Sequence, residues 1–476
     1  MDRMHTLTPQ ELDHIHNATL ELLGTTGICF NSQTATDLFK ARGFNTQGNT
    51  VFFTPDQVRA ALDTVPDHFT IQARNPEKNV ALGGNDFITL ATGGATNVAD
   101  LDGNHRPTTM ADYLTCCKLV QTSTQLDTGG YLMVQPGDMP QDTAYLDMVY
   151  QYIKHCDKPI FGASENGQAA RDSVLMAAMA LGVEEADIPN SPILITNINA
   201  MSPLQFSEEQ TDVIMEMARW RQPVVITNMI LAGSTGPISL AGLLALENTE
   251  ILAGIILAQT VSPGTPVVYG STSAPMDMKT TVGAVGAPET ARIAAATTQM
   301  AEHYSIPCRA GGALTDAHLP DGQAMAESAL LISTAIRNGA HFLFHSCGQM
   351  GSYISMGFEK WLMDEEVLAQ VRNMLTPLEI TPESLDTALI KEVGIGGQYL
   401  THPNTFSQFK TLSQPMLANR QNHEKWTAAG GVSMAQAASK ALEQRLADYR
   451  EPRLDPAVDQ RLTDYLNQRK QAHEPC

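Results

Sequence analysis

The sequence predicts a (β/α)8 TIM barrel carrying a small N-terminal α+β cap and a C-terminal helical extension, and three observations predict it. Five short apolar runs each begin at a proline: Pro159-Ile-Phe-Gly, Pro192-Ile-Leu-Ile-Thr-Asn, Pro223-Val-Val-Ile-Thr-Asn, Pro266-Val-Val-Tyr-Gly and Pro307-Cys-Arg-Ala-Gly-Gly. Their spacings suit one strand-plus-helix unit each, and proline is tolerated at a strand's first residue because no ladder hydrogen bond is needed there. Between the runs, Glu208–Trp220, Leu243–Gln259 and Pro288–Tyr304 repeat their apolar positions every three and four residues, as amphipathic helices do. Short apolar strands alternating with long helices give a parallel sheet covered on its outside.

Taken in order, Thr8-Pro9-Gln-Glu11 supplies an N-cap, a proline at the first helical turn and a capping-box glutamate ahead of Leu12, Ile15, Leu22 and Leu23. A short helix follows over Thr34–Ala41, stopping at Gly43. Val51–Phe53 then reads as a strand, Thr54 with Gln57 opens another capped helix, and His68–Ala73 alternates as a strand. Residues 1–82 are therefore assigned to the cap. Adding Asp86–Thr92, Thr128–Val134 and His341–His345 to the five proline-led runs gives eight strands within residues 83–362, the number that closes a barrel. An open doubly wound sheet is the alternative, but no Gly-x-Gly-x-x-Gly turn follows the first strand. Residues 363–476 read as the extension: a helix over Asp364–Leu375, a charged helix near Ala437–Arg450, and a charge- and proline-rich surface arm from Arg450 that could lie on a neighbouring subunit.

Composition sets limits on function. The net charge of −21 disfavours nucleic acid and anionic membrane surfaces as partners and favours a cationic ligand, although solubility alone explains it equally well. No uninterrupted apolar run is long enough to suggest a membrane span, the opening Met1-Asp2-Arg3-Met4-His5 lacks a signal-peptide pattern, and seven irregularly spaced cysteines fit a reducing compartment. A cytoplasmic location is the expectation.

In a barrel of this kind chemistry sits at the carboxyl ends of the strands. That rule selects Thr92-Gly93-Gly94, Gln135, Ser164-Glu165, Asn197, Asn199, Asn228, Tyr269 to Ser273, Gly311 to Asp316 and His345 to Tyr353. His345 is the one histidine at a strand's carboxyl end. Strand alternation puts His341, Leu343 and His345 on one face and Phe342 and Phe344 on the other. Asn197 and Asn228 end neighbouring strands and either orient a polar ligand or cap the helices that follow. His345, Cys347 and Cys308 offer zinc-ligand side chains, but a His-x-Cys spacing is weak support, Cys308 lies early in its strand, and no metal is expected. No lysine ends a strand, which disfavours Schiff-base chemistry. Asp316 and His345 are the acid–base candidates, with a solvated loop carboxylate as the plainer reading of Asp316.

Several segments carry a resemblance. Leu7-Thr8-Pro9 with Ile15-His16, Phe69-Thr-Ile-Gln-Ala-Arg74-Asn-Pro76, Asp100-Leu-Asp102-Gly103 before Arg106-Pro107, Gly311-Gly312-Ala-Leu-Thr-Asp316 before Asp321-Gly-Gln323, and Gly396-Gly397-Gln-Tyr-Leu400 before His402 together resemble the trimethylamine methyltransferase superfamily. The resemblance implies methyl transfer from an amine to the Co(I) of a corrinoid carried by a separate small protein, with no cofactor held permanently by this chain. Trimethylamine-specific members use pyrrolysine, and this chain has only standard residues, so it is most similar to the non-pyrrolysine branch acting on quaternary amines. Glycine betaine, yielding dimethylglycine, is the implied substrate. Proline betaine, carnitine and a non-catalytic betaine-binding scaffold are the alternatives, and a lyase or isomerase using Asp316 and His345 is a third class.

A quaternary ammonium already contains its leaving group, since a neutral tertiary amine departs, so the site's task is to position one N–CH3 bond. Tyr269, Tyr353 and Phe161 are the candidates for a partial aromatic cage, with core packing the alternative for Phe161 and Tyr269. His345, Asn197, Asn228 and the backbone N–H groups of Gly311 and Gly312 are the candidate donors to a carboxylate, and Gln349 joins His345 and Tyr353 in orienting the ligand. A homo-oligomer is expected.

Overall fold

A computed structural model describes residues 3–473. Met1 and Asp2, the start of the opening read for targeting signals, and the last three residues of the tail lie outside them. Eight parallel strands form one sheet: β1 (Ile88–Thr89), β2 (Gly129–Gly130), β3 (Ile160–Phe161), β4 (Leu194–Asn199), β5 (Val224–Thr227), β6 (Val267–Gly270), β7 (Cys308–Arg309) and β8 (Phe342–Leu343). Each pairs with its neighbours in sequence, and β8 returns to β1 through Phe342 opposite Ile88. A parallel bridge between Leu90 and Thr128, with the Thr128 N–H donating to the Thr89 carbonyl, joins the two ends of the sheet and closes the barrel. Every proline-led run begins its strand one or two residues after the proline, as the missing N–H requires.

Eight helices cover the outside: α1 (Met110–Thr122), α2 (Ala144–His155), α3 (Gly167–Leu181), α4 (Glu208–Arg219), α5 (Leu240–Val261), α6 (Pro288–His303), α7 (Gly322–Arg337) and α8 (Phe358–Met374). By length and composition α5 could cross a membrane, but 78% of its apolar window is buried inside the molecule.

Strand alternation sorts the side chains. Ile88, Leu90, Phe161, Ile195, Val225, Val268 and Phe342 fill the barrel, while Leu194, Val224, Ile226, Val267 and Tyr269 face the helices. The amino end of the barrel is plugged by a hairpin, Phe69–Ile71 with Val80–Leu82, which adds Phe69, Ile71 and Leu82 to the interior. Its flanks are pinned below β4 and β3, where the Gln72 and Asn75 N–H groups donate to the carbonyls of Pro192 and Asp157. The N-terminal helices Pro9–Thr25 and Pro55–Leu62 both have the capping boxes the sequence indicates and pack against α5.

Three expectations change. The boundary drawn at 362 falls inside α8, which is the eighth barrel helix. Four of its charged residues, Lys360, Asp364, Glu365 and Glu366, are all buried. The tail from Arg450 contains an 18-residue helix, Pro456–His473, packed on α2 and α3 of its own chain, with Leu462 and Leu466 buried and Tyr465 and Arg469 bonded to Asp172. The alternation expected through His345 breaks, because β8 ends at Leu343 and His345 has φ +57°. The turn brings Phe344 and His345 onto the same cavity, while His341 stays outside and accepts the Cys308 N–H.

Candidate active site

At the carboxyl ends of the strands lies a cavity of about 370 Å3, floored by Phe161, Phe344 and Arg309 and walled by Tyr131, Asn197, His345 and Tyr353. The backbone builds it at some cost. His345 and Tyr353 both have left-handed φ, +57° and +78°, a region that costs a non-glycine residue ~1–3 kcal/mol. The His345 ring lies parallel to Phe344 at 4.2 Å and meets Tyr353 at 5.0 Å and a 65° angle. Phe344 also packs 5.2 Å from Phe161. Gly93 is required beneath them: a Cβ there would lie 2.8 Å from the Phe344 ring and 3.1 Å from His345.

Arg309 is the residue that sequence reasoning missed. Its position in Pro307-Cys-Arg-Ala-Gly-Gly puts it in the inward register, with Cys308 facing outward, and that register was the available signal: a charge inside a barrel strand. Its side chain is fully buried, 5.3 Å from the Phe344 ring centroid, and Nη1 donates to the Ser271 carbonyl. Burial lowers its pKa to about 10, with Tyr353, Cys308 and Glu247 opposing, so it remains a cation at neutral pH. The same burial, with Arg309 adding to it, holds His345 well below the usual imidazole range, so the ring is neutral. Burial pushes Tyr353 up to about 12. Across the cavity the Tyr131 hydroxyl donates to Glu165 at 2.9 Å, and burial raises the pKa of that carboxyl.

Four buried polar atoms here, Arg309 Nε, His345 Nδ1, Tyr353 Oη and Asn197 Oδ1, have no hydrogen-bond partner among the described residues. Buried polar atoms are nearly always paired, so their convergence on one cavity marks a ligand site.

The predicted residues divide cleanly. His345, Tyr353, Asn197 and Phe161 line the cavity. Tyr269 does not: it faces outward from β6 and donates to Asn248 on α5. Asn228 is buried against α5, its amide donating to the Glu247 carbonyl and the Glu250 carboxylate. Gln349 sits behind the wall, where it accepts the Thr92 hydroxyl at 2.5 Å and ties the β8 loop to β1. Gly311 and Gly312 are packing glycines, since a Cβ at either would come within 2.3 Å and 2.1 Å of Ala335 and the Phe344 carbonyl. Asp316 is fully used in holding loops: it accepts the Val285 and Gly286 N–H groups and the Ser352 hydroxyl, the last at 2.6 Å, which anchors the turn carrying Tyr353. Among the described residues no group of three His, Cys, Asp or Glu could hold a metal ion.

Behind the β8 loop, Lys360 of α8 bonds to the Ala313 carbonyl, the Ser328 hydroxyl and Asp364, whose carboxylate also accepts the Gly348 N–H at 2.7 Å. This buried pair fixes the β7 and β8 loops together.

The trimethylamine methyltransferase (MTTB) family profile matches residues 1–474. The chain belongs to that family. Among its MTTB relatives, a glycine betaine methyltransferase of Desulfitobacterium hafniense (strain Y51) is 36% identical over 470 residues, 98% of both chains. A trimethylamine methyltransferase MttB of Desulfitobacterium hafniense (strain DSM 10664 / DCB-2) is 30% identical, covering 92% of this chain and 89% of the relative. A proline betaine:corrinoid methyltransferase of Eubacterium limosum is 30% identical, covering 97% and 96%. The crystal structure of the monomethylamine methyltransferase MtmB of Methanosarcina barkeri superposes with a TM-score of 0.52 at 12% identity over 93% of this chain and 89% of that one, a likeness of fold.

Proposed function

We propose that this MTTB-family chain transfers a methyl group from glycine betaine to the Co(I) corrinoid of a separate carrier protein, releasing dimethylglycine. The observation that carries this reading is the buried Arg309 guanidinium on a floor of aromatic rings. A quaternary ammonium without a carboxylate would meet like charge there, roughly 3 kcal/mol of repulsion at 5 Å in a medium of effective dielectric 20. A betaine reverses the sign of that interaction. Its carboxylate accepts hydrogen bonds from the guanidinium, the His345 ring N–H and the Tyr353 hydroxyl, and its ammonium lies above them against the Tyr131 ring of the wall and the Glu165 side of the cavity.

Arg309 at the floor sets the direction. With the carboxylate held low, the N-methyl groups point up toward the open mouth, where the acceptor must arrive. The methyl carbon gains its bond to cobalt as the C–N bond breaks; the C–N electron pair stays on nitrogen, and Co(I) supplies the two electrons of the new bond. No proton moves, which fits a neutral His345 and an Asp316 committed to loop contacts. Exposed Met201, Met229, Ile238, Met278, Val282, Leu319 and Ile354 all stand on the loops that follow the strands, an apolar rim suited to the carrier's docking. The six free described cysteines support a reducing, cytoplasmic setting.

The test mixes the purified protein with cob(I)alamin and glycine betaine and follows methylcobalamin by its absorbance and dimethylglycine by mass spectrometry. Equimolar formation of both is expected, with tetramethylammonium inert. Failure to methylate with glycine betaine, proline betaine and carnitine alike would overturn the reading.

A further inference from the structure

The buried group that methyl transfer leaves unused is Glu247. It is completely buried on α5, and among the described residues no lysine or arginine bonds its carboxylate. Its partners are hydroxyls: Ser271 donates to Oε2 and Thr297 of α6 donates to Oε1, each at 2.6 Å. A buried carboxyl without a cation costs stability, so the fold alone gives no reason for one here. Ser271 supplies the reason. It follows β6, and its backbone carbonyl accepts Nη1 of Arg309, the guanidinium's one hydrogen bond among the described residues. The same residue therefore meets the carboxyl with its hydroxyl and the guanidinium with its carbonyl. Its hydroxyl also accepts the Ser273 N–H at 3.0 Å, and Thr272 is tied to the Asn228 carbonyl through both its N–H and its hydroxyl. Residues 271–273 thus form a strap across the ends of β5 and β6, beside the cavity that Thr272 lines.

We propose that Glu247 is a positioning residue: acting through Ser271, it fixes the direction in which the Arg309 guanidinium meets the betaine carboxylate. The proposal rests on Arg309 being the partner of that carboxylate. A guanidinium is a rigid planar fork whose donors move together. Holding Nη1 at a fixed carbonyl sets its plane and leaves Nε, which has no partner among the described residues, to face a ligand. The carbonyl is only as fixed as its strap, and the Ser271–Glu247 bond ties that strap to α5. Charge acts along the same line, since the Glu247 carboxylate supports the buried guanidinium. The tie also survives protonation of Glu247. A proton on Oε1 is received by Thr297, whose hydroxyl turns to its second acceptor, the Ile293 carbonyl at 2.9 Å, while Oε2 still accepts from Ser271. Glutamine can make the same two bonds, and methionine can make neither.

The test compares steady-state methylation of cob(I)alamin with calorimetric binding of glycine betaine, both on the full chain. Glu247→Met and Ser271→Ala should each raise KM and Kd about tenfold, the scale of losing a group that orients a binding residue, with kcat largely kept. Glu247→Gln should stay near the native values, because it restores the acceptor for Ser271. In an Arg309→Gln background, Glu247→Met should add little, since the group it positions is gone. Ser271→Ala removes a single hydroxyl and carries the test if Glu247→Met does not fold. A native chain that binds no betaine overturns the functional reading and this proposal with it. A native chain that binds glycine betaine overturns the proposal alone under any of three results: native KM in either Glu247→Met or Ser271→Ala, a Glu247→Gln variant as impaired as Glu247→Met, or a Glu247→Met loss that persists in full without Arg309.

Discussion

The Arg309 guanidinium stands 5.3 Å from the centroid of the Phe344 ring, so a full positive charge and an aromatic face share the floor of one cavity. That pairing distinguishes a site for a zwitterion from a cage for a simple cation. Its neighbours are tied to it: burial, with Arg309 adding to it, keeps His345 neutral, and Phe344 supports the His345 ring from below.

Replacing Arg309→Gln should raise KM for glycine betaine about ten- to hundredfold, the worth of a charge-assisted bond of ~1.5–3 kcal/mol, with kcat less affected. The same variant should gain affinity for tetramethylammonium, because the like charge is gone. Steady-state kinetics with both compounds checks this, and an equal loss for both would remove Arg309 from substrate contact.

Gly93→Ala places a methyl group within 2.8 Å of Phe344 and 3.1 Å of His345. Overpacking of this kind costs about 1–3 kcal/mol, and here it displaces both floor and wall. Affinity measured by calorimetry should fall at least tenfold, with a smaller decrease in thermal midpoint than a core cavity would produce.

His345 is buried as the neutral imidazole, with its pKa lowered by burial and then by Arg309. The unfolded chain protonates this side chain near pH 6.5. Below that pH the unfolded state binds more protons than the folded state, so the stability His345 contributes is complete above about pH 6.5 and declines as the pH falls toward its folded value. His345→Gln should flatten the decrease in thermal midpoint between pH 7.5 and 5.5, and it should raise KM more than it lowers kcat.

Glu247 on α5 has the opposite sign. Burial pushes its carboxyl up to about 7 despite bonds from Ser271 and Thr297. Its raised pKa means the folded state holds the extra proton between about pH 4.5 and 7, so this contribution to stability is lost as pH rises through 7. Glu247→Gln should exceed the native protein in thermal midpoint by more at pH 8 than at pH 5.5.

The Lys360–Asp364 pair is completely buried. Removing one partner leaves an uncompensated charge, worth about 3–5 kcal/mol, so Lys360→Met should be strongly destabilising. Because Asp364 also holds the Gly348 N–H, the variant should additionally weaken glycine betaine binding by loosening the loop that carries His345 and Tyr353. A stable variant with native affinity would contradict that linkage.

The strands were legible because proline and apolar runs mark them locally. His345, Asn197 and Phe161 were legible because position at a strand's end is nearly enough to reach the cavity. Tyr269, Asn228 and Gln349 were misread because facing in or out turns on a single residue of register, or on a turn that sequence does not reveal. Asp316 and the Gly311-Gly312 pair belong to that loop geometry as well. α8 begins at Phe358, ahead of the boundary at 362, and its buried charges are bonded by Ser328, Arg445 and the Gly348 N–H, partners distant in sequence that no local pattern reveals.

Sequence by itself therefore determined the (β/α)8 repeat, its capped N-terminal helices and the end of the barrel where a ligand could sit, since these rest on hydrophobic periodicity, proline and local capping. Only the tertiary structure decided that Arg309 turns inward beneath Phe344, that His345 leaves the strand pattern to join it, and that Ser271 links Arg309 to Glu247. Each of those depends on which groups from distant parts of the chain share a small volume, where desolvation and close packing set the charge state and the direction of every side chain.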